Sequence, residues 1–390
     1  MGLVNSTSLW SNRGFTGGKS LPVVGNGQYE VGCADIMVGA NDEEDIGVFA
    51  RIFYPTDSSP SAGNQTWRPR KEYVDGFANY KKISPRKIHF LLDLFVGDRR
   101  GSSALSFPIV VFSHGLSSCR LMSSLYCVSV ASHGIVVAAI EHRDRSACWT
   151  YSLEKYGNGN DLYEKSIPLR QLTLLDNEFR VRNQQLHKRV AECVKLLSVL
   201  EEINLGFHNK QNSSILYGKD FDWTQLKVSY RRVAAVGHSF GGSTSTECHV
   251  ATFQAAVLLD GWMFPIEKEL YPRIQQPVLF LNADTFQWQE NVKSMLQVGS
   301  EEPRKLIFTL RGITHYSFTD LPLVVPGFLS RKLNFSGETD AVTCLAAVVE
   351  MSVSFLRTSF EGDEFDSSEW EIFRRTGFRY LYGGDDRSYG

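Results

Sequence analysis

The chain has 390 residues, 43% hydrophobic and 22% charged, an ordinary soluble composition with enough apolar mass for a large core. A net charge of −2 gives no case for nucleic-acid binding. Seven scattered cysteines without a C-x-x-C pair read as reduced thiols rather than a disulfide framework.

Met1-Gly2-Leu3-Val4-Asn5-Ser6 fits the N-myristoylation pattern, with Gly2 as the acceptor. One myristoyl chain gives only marginal, reversible membrane binding. The first twenty residues are polar and glycine-rich and lack the apolar centre of a signal peptide. No run of about 18 apolar residues occurs. The expected compartment is therefore the cytoplasm, with reversible membrane association through Gly2.

Ile46–Tyr54 reads as a strand closed by Pro55, and Thr56–Arg70 as a polar loop. Ile88–Phe95 is strongly apolar and follows Lys81, Lys82, Arg86 and Lys87, so it is either a core-packed helix or an interfacial one. Pro108–Ser113 is a fully apolar strand leading into His114-Gly115-Leu116. Ser117–Ser132 reads as a helix closed by His133-Gly134. Ile135–Ile140 is the next buried strand and ends in the charged loop Glu141–Ser146. There Arg143 and Arg145 could pair with Glu141 and Asp144, and a structural ion-pair cluster is preferred over a phosphate site.

Tyr151–Arg180 looks like an insertion or lid. Val181–Asn204 is an amphipathic helix, with Leu186, Val190, Cys193, Leu197 and Leu200 on one face. Phe207–Ser229 is a second polar excursion. Gln254–Leu259 ends in Asp260, Pro277–Leu281 runs on to Asp284, and Lys305–Leu310 precedes His315. Val342–Leu356 is an apolar helix, and Glu361–Gly390 is an acidic tail. Strands alternating with helices predict a mostly parallel sheet covered on both faces.

The chemistry centres on Val233–Gly242, where an apolar strand runs into Gly237-His238-Ser239-Phe240-Gly241. Strand, tight turn and helix are the setting of a nucleophile elbow, which presents a serine at the carboxyl edge of an α/β-hydrolase sheet. Such a serine needs a base, and the triad order is serine, acid, histidine. Only His249 and His315 follow Ser239. His249 lies on the helix leaving the elbow, about 15 Å along it, too far to reach the serine. His315 remains. Asp260 and Asp284 both end strands between Ser239 and His315. The common hydrolase layout favours Asp284, and spacing leaves both open. The N–H of Phe240 and that of Leu116 are the expected oxyanion donors. No H-E-x-x-H or other metal-ligand spacing occurs, so neither metal nor cofactor is expected.

These residues resemble a known family. Gly237-His238-Ser239-Phe240-Gly241-Gly242, Leu259–Pro265, Phe112–Leu116 and Glu141–Ala147 are similar to the platelet-activating-factor acetylhydrolases, over about Val31 to Leu356. The intracellular, myristoylated type II branch fits better than the plasma branch. The resemblance implies an α/β-hydrolase with Ser239, Asp260 and His315 as triad, so that it is Asp260 and not Asp284 that holds the histidine. It also implies oxyanion donors at Leu116 and Phe240, and Trp262 and Phe286 as aromatic walls of an acyl pocket. The expected organisation is a flexible segment over 1–30, a hydrolase domain over 31–360 with insertions near 56–70 and 151–230, and a tail over 361–390. The expected activity is calcium-independent hydrolysis of the sn-2 ester of phospholipids with short or oxidised chains. Its substrate implies peripheral membrane contact, aided by the apolar stretch Leu321–Leu329. The rival readings are a general carboxylesterase or lipase, and a non-catalytic binding protein on the same fold.

Overall fold

The β-branched runs of the sequence become neighbouring strands in the computed structural model. It describes residues 24, 27–39, 47–56, 70–86, 106–155, 161–206, 215–219, 221–248, 253–299, 305–325, 327–363 and 380–382. Gly2, Ile88–Phe95 and His249 lie outside them. In chain order the strands are β1 (Glu30–Val38), β2 (Val48–Thr56), β3 (Phe107–Ser113), β4 (Val136–Ile140), β5 (Trp149–Lys155) and β6 (Leu162–Pro168). They continue with β7 (Ile215–Tyr217), β8 (Val228–His238), β9 (Ala255–Leu259), β10 (Val278–Ala283), β11 (Lys305–Leu310) and β12 (Tyr380–Tyr382).

Ten of these form one sheet, in the order β12-β11-β10-β9-β8-β3-β4-β2-β1-β7. Its middle, from β4 to β11, is parallel. Antiparallel strands close both ends. The expected mostly parallel sheet is therefore present. Chain order reverses at β3, which is flanked by β4 on one side and β8 on the other. A crevice at the carboxyl ends of such a pair is where α/β proteins place ligands. Ser113 and His238, the last residues of β3 and β8, stand there.

Alternation along β3 serves two cores, because successive side chains point to opposite faces. Ile109 and Val111 join Leu186, Leu196 and Leu200 of the helix Glu178–Asn204. Val110 and Phe112 join Val130 of the helix Ser124–Ala131 and Val348 and Phe355 of the helix Ala341–Glu361. The first of these helices starts where the Asn177 side chain accepts the Arg180 N–H at 3.0 Å. The last starts where Asp340 accepts the Thr343 N–H at 2.9 Å, and it stops at Gly362, in the left-handed region with φ 76°. Ala341–Glu361 is long and apolar enough to cross a bilayer, yet Leu345, Val348, Val349 and Leu356 are buried in the core.

Some elements depart from expectation for identifiable reasons. β1 was not legible because Asp35 interrupts its apolar run, and Asp35 is buried in a bidentate pair with Arg51 at 2.8 and 2.9 Å. Burial opposes ionisation of Asp35, but the Arg51 and Arg120 charges hold its carboxyl well below the usual range. The expected helix over Ser117–Ser132 is helical only from Ser124. Ser117 takes φ 57°, and Arg120 turns inward to Glu141 at 2.9 Å and to Asp35 at 3.3 Å. The expected lid contains the hairpin β5–β6. Its root is buried at Trp149 and Tyr151, and Arg70 lies 4.9 Å from the centre of each ring while bonding Glu164.

Asp35→Leu would leave the Arg51 guanidinium buried without its carboxylate. Stability is expected to fall by about 3–5 kcal/mol, read as a lower urea midpoint at unchanged slope.

Candidate active site

Ser239 sits between β8 and the helix Phe240–Glu247 with φ 56° and ψ −118°, a backbone region that residues other than glycine rarely enter. Small neighbours permit the turn. A Cβ on Gly237 would lie 1.9 Å from the Gly241 carbonyl oxygen, and one on Gly241 would lie 1.9 Å from that of Ser113. The turn is pinned from β9: the Ser239 N–H donates to Leu259 O at 3.0 Å, and Trp262 N–H donates to Ser239 O at 3.0 Å.

Asp260 is the residue just after β9, fully buried, at φ 53°. One carboxylate oxygen accepts the Ala283 N–H at 2.9 Å and the Gln287 side chain at 2.6 Å. The other accepts Nδ1–H of His315 at 2.7 Å. The bond fixes the His315 tautomer, so Nε2 is the ring nitrogen able to take a proton. Burial, and after it the charge of Lys81, pushes His315 down to about 3, so the imidazole is neutral near neutral pH. Asp284 is elsewhere. It is exposed, and its carboxylate caps the following turn by accepting the Gly312 N–H at 3.2 Å. The structure thus brings Asp260 and His315 together and leaves the generic alternative, Asp284, outside the pair.

His315 opens a short 3₁₀ turn, His315–Phe318, capped reciprocally by Thr314 and Ser317. His238 grips that turn from the elbow, its Nε2–H donating to the His315 carbonyl at 2.9 Å. Burial, and then His315, push His238 down to about 3, which keeps it neutral. The rings of His238 and His315 are 4.5 Å apart, so the base lies against the residue preceding Ser239. Phe286 stacks on His315 at 3.7 Å. Trp262 meets the Phe240 ring edge-on at 5.6 Å and stacks on Phe264 at 5.6 Å. Both aromatic residues singled out in the sequence therefore border the site.

The loop after β3 passes close to the serine: a Cβ on Gly115 would lie 3.1 Å from Ser239 Cβ. Leu116 follows, half-buried. Phe240 is the first residue of its helix, where N–H groups have no partner within the helix. Among the described residues, neither the Leu116 nor the Phe240 N–H donates to a protein acceptor.

Beneath this loop is a buried network. Arg189, fully buried, donates to the His114 carbonyl at 2.6 Å and to Asp144 at 3.1 Å, and its guanidinium lies 4.2 Å from the Phe240 ring centre. His142 bridges Ser113 at 2.8 Å and Glu192 at 2.7 Å. This is a second serine–histidine–acid chain, but all three residues are at most 1% exposed, so substrate has no access. The acids of the charged loop thus pair with Arg189 and Arg120, from other elements, rather than with Arg143 and Arg145, and one buried Glu141 oxygen keeps no hydrogen-bond partner among the described residues. Sequence reasoning missed Arg189, Glu192, His238 and Gln287 as parts of the site. Only the helical spacing of Arg189 and Glu192 on the face of the long helix could have pointed to the first two.

Among the described residues one group could offer ligands to a divalent cation. His187 Nδ1 is 3.0 Å from Glu247 and its Nε2 is 2.9 Å from Glu267. Each ring nitrogen of His187 already has a carboxylate partner, so the arrangement needs no metal to hold it together.

The switch-point crevice, the elbow and the histidine–aspartate pair define an α/β-hydrolase. A ferulic acid esterase from Streptomyces cinnamoneus has the same fold, with a TM-score of 0.61 over 94% of this chain and 99% of its own at 18% identity. Residues 14–374 match the family model described as platelet-activating factor acetylhydrolase, isoform II, and the chain belongs to that family. It is 34% identical to the platelet-activating factor acetylhydrolase of Canis lupus familiaris over 89% of this chain and 79% of that protein. To the Gallus gallus protein of the same name it is 31% identical, over 85% and 82%.

Ser239→Gly removes the strained side chain. It is expected to raise the unfolding temperature, from relief of about 1–3 kcal/mol, while abolishing labelling by a fluorophosphonate.

Proposed function

We propose that the protein hydrolyses the sn-2 ester of phospholipids with short or oxidised acyl chains, platelet-activating factor among them, through a serine nucleophile and without calcium. The carrying observation is the 2.7 Å Asp260–His315 pair beside the elbow serine of a chain in this family. His315 Nε2 takes the Ser239 proton as Oγ attacks the ester carbonyl. Asp260 keeps the ring oriented and stabilises the imidazolium that forms. The Leu116 and Phe240 N–H groups receive the oxyanion, an arrangement worth about 3–4 kcal/mol per donor in a comparable enzyme. As the tetrahedral adduct collapses, His315 returns the proton to the lysophospholipid oxygen. Water, deprotonated by the same ring, then frees the acid from Ser239. Trp262 and Phe286 flank the serine and the base, and we assign them as the walls that limit the acyl chain.

Asp260→Asn is expected to lower kcat by about 10⁴, because it favours the wrong tautomer. Ser239→Ala should be as damaging, Asp284→Asn nearly silent, and a chelator without effect. An active Asp260→Asn beside a dead Asp284→Asn would overturn the assignment, and loss of activity with chelator would overturn the metal-free mechanism. A general carboxylesterase on this fold would instead favour simple esters over short-acyl phospholipid, which substrate profiling of the purified protein decides.

Membrane association is the second part of the proposal. Gly2 supplies one weak signal, and a second is needed for stable binding. The expected apolar stretch Leu321–Leu329 contributes less than its sequence implied, since Leu321, Val324 and Val325 are buried and, among its described large apolar side chains, only Phe328 is strongly exposed. A better patch precedes the long helix. Leu174 and Leu175 are fully exposed, and the nearby Phe179 meets Phe264, which stacks on Trp262. Leu174→Glu with Leu175→Glu is expected to weaken binding to phosphatidylcholine vesicles several-fold in co-sedimentation, with hydrolysis of a soluble ester retained. Unchanged binding would remove this patch from the proposal.

A further inference from the structure

We propose that Lys81 binds the substrate's phosphate beside the scissile ester, so that the phosphodiester, and not the acyl chain alone, selects the substrate. This rests on the phospholipid reading above.

Lys81 immediately follows the helix Lys71–Tyr80 and is half-buried. Its ammonium lies 4.4 Å from the centre of the Tyr316 ring. Tyr316 is the residue after His315, its ring edge-on to the imidazole at 5.6 Å and braced by Phe335 at 5.1 Å. The cation is therefore held on a fixed surface next to the base. Its charge is felt there: after burial, it is the Lys81 ammonium that disfavours a proton on His315. Burial also pushes the Lys81 ammonium itself down from its usual range.

Lys81 differs from the most deeply buried arginines in its counter-ion. The buried arginines have carboxylates: Arg51 has Asp35, Arg120 has Glu141, Arg182 has Glu178 and Arg189 has Asp144, whereas among the described residues the half-buried Arg143, like Lys81, has none. Among the described residues no carboxylate forms an ion pair with Lys81. Tyr316 offers only its ring face, since burial raises its hydroxyl to about 12 and keeps it neutral. A lysine at a helix C-terminus gains from the helix dipole, but that gain does not require it to turn onto Tyr316. A partly desolvated ammonium without a counter-ion is a site for an anion. In a phospholipid the phosphate is on the glycerol carbon next to the one bearing the sn-2 ester, so an ester at Ser239 and His315 brings the phosphate to this neighbourhood.

The test compares two lipids with the same ether chain and the same acetyl ester, one a glycerophosphocholine and one an acetylglycerol lacking the phosphate. Both are presented in micelles of neutral detergent. Wild type is expected to prefer the phosphate-bearing lipid. Lys81→Met keeps the apolar stem over Tyr316 and removes the charge; it should reduce that preference about tenfold, chiefly through KM. Lys81→Arg should restore most of it. An equal loss on both lipids in Lys81→Met would overturn the proposal, because Lys81 would then act only through Tyr316 and the base. So would an unchanged ratio, or a wild type indifferent to the phosphate. A wild type that cleaves p-nitrophenyl acetate but neither lipid would defeat the phospholipid reading itself, and this proposal with it.

Discussion

Three stretches of backbone meet almost at van der Waals contact where β8 turns into its helix, and the site depends on that approach. Gly241 lets the carbonyl of Ser113 come close enough that any side chain would collide with it. This brings the end of β3, and so the loop carrying Leu116, beside Ser239. The same compression drives Ser239 to a positive φ, and among the described residues the Leu116 and Phe240 N–H groups beside it have no protein acceptor. The strained serine and the two N–H groups that flank it are therefore products of one packing event. Neither could be placed without the other.

Holding such a turn requires rigid surroundings, and these are polar rather than oily. Arg189 ties the His114 carbonyl to Asp144 and covers the Phe240 ring, so one side chain touches both segments that flank Ser239. Arg120 and Arg51 do comparable work around Asp35 and Glu141, farther toward β1 and β2. Buried ion pairs are a poor source of net stability, but they are intolerant of misplacement. A guanidinium with its donors committed to fixed acceptors sets distances that a cluster of leucines would leave loose.

How much of this was legible in the sequence varied with the kind of signal. Ser239 and His315 were readable because chain order and helical rise left few candidates. The parallel sheet was readable because its strands are apolar throughout. The acid was not, since Asp260 and Asp284 end adjacent strands and look alike in one dimension; the family resemblance chose between them. Three dimensions separate them: Asp260 is buried under three donors, and Asp284 faces water across a turn. β1 stayed hidden because a charged residue inside a strand reads as a break until its partner sixteen positions away is known. His238, Gln287 and Arg189 were invisible for the same reason: their roles consist of contacts made across the fold.

The bond from His238 to the His315 carbonyl has a mechanical meaning as well as an electrostatic one. It joins the residue before the nucleophile to the backbone of the base, so elbow and histidine turn are tethered at their roots rather than at their tips. Thermal displacement of one carries the other with it. Fluctuations that would misalign a loosely hung histidine become, here, a shared translation that leaves the reacting atoms in register.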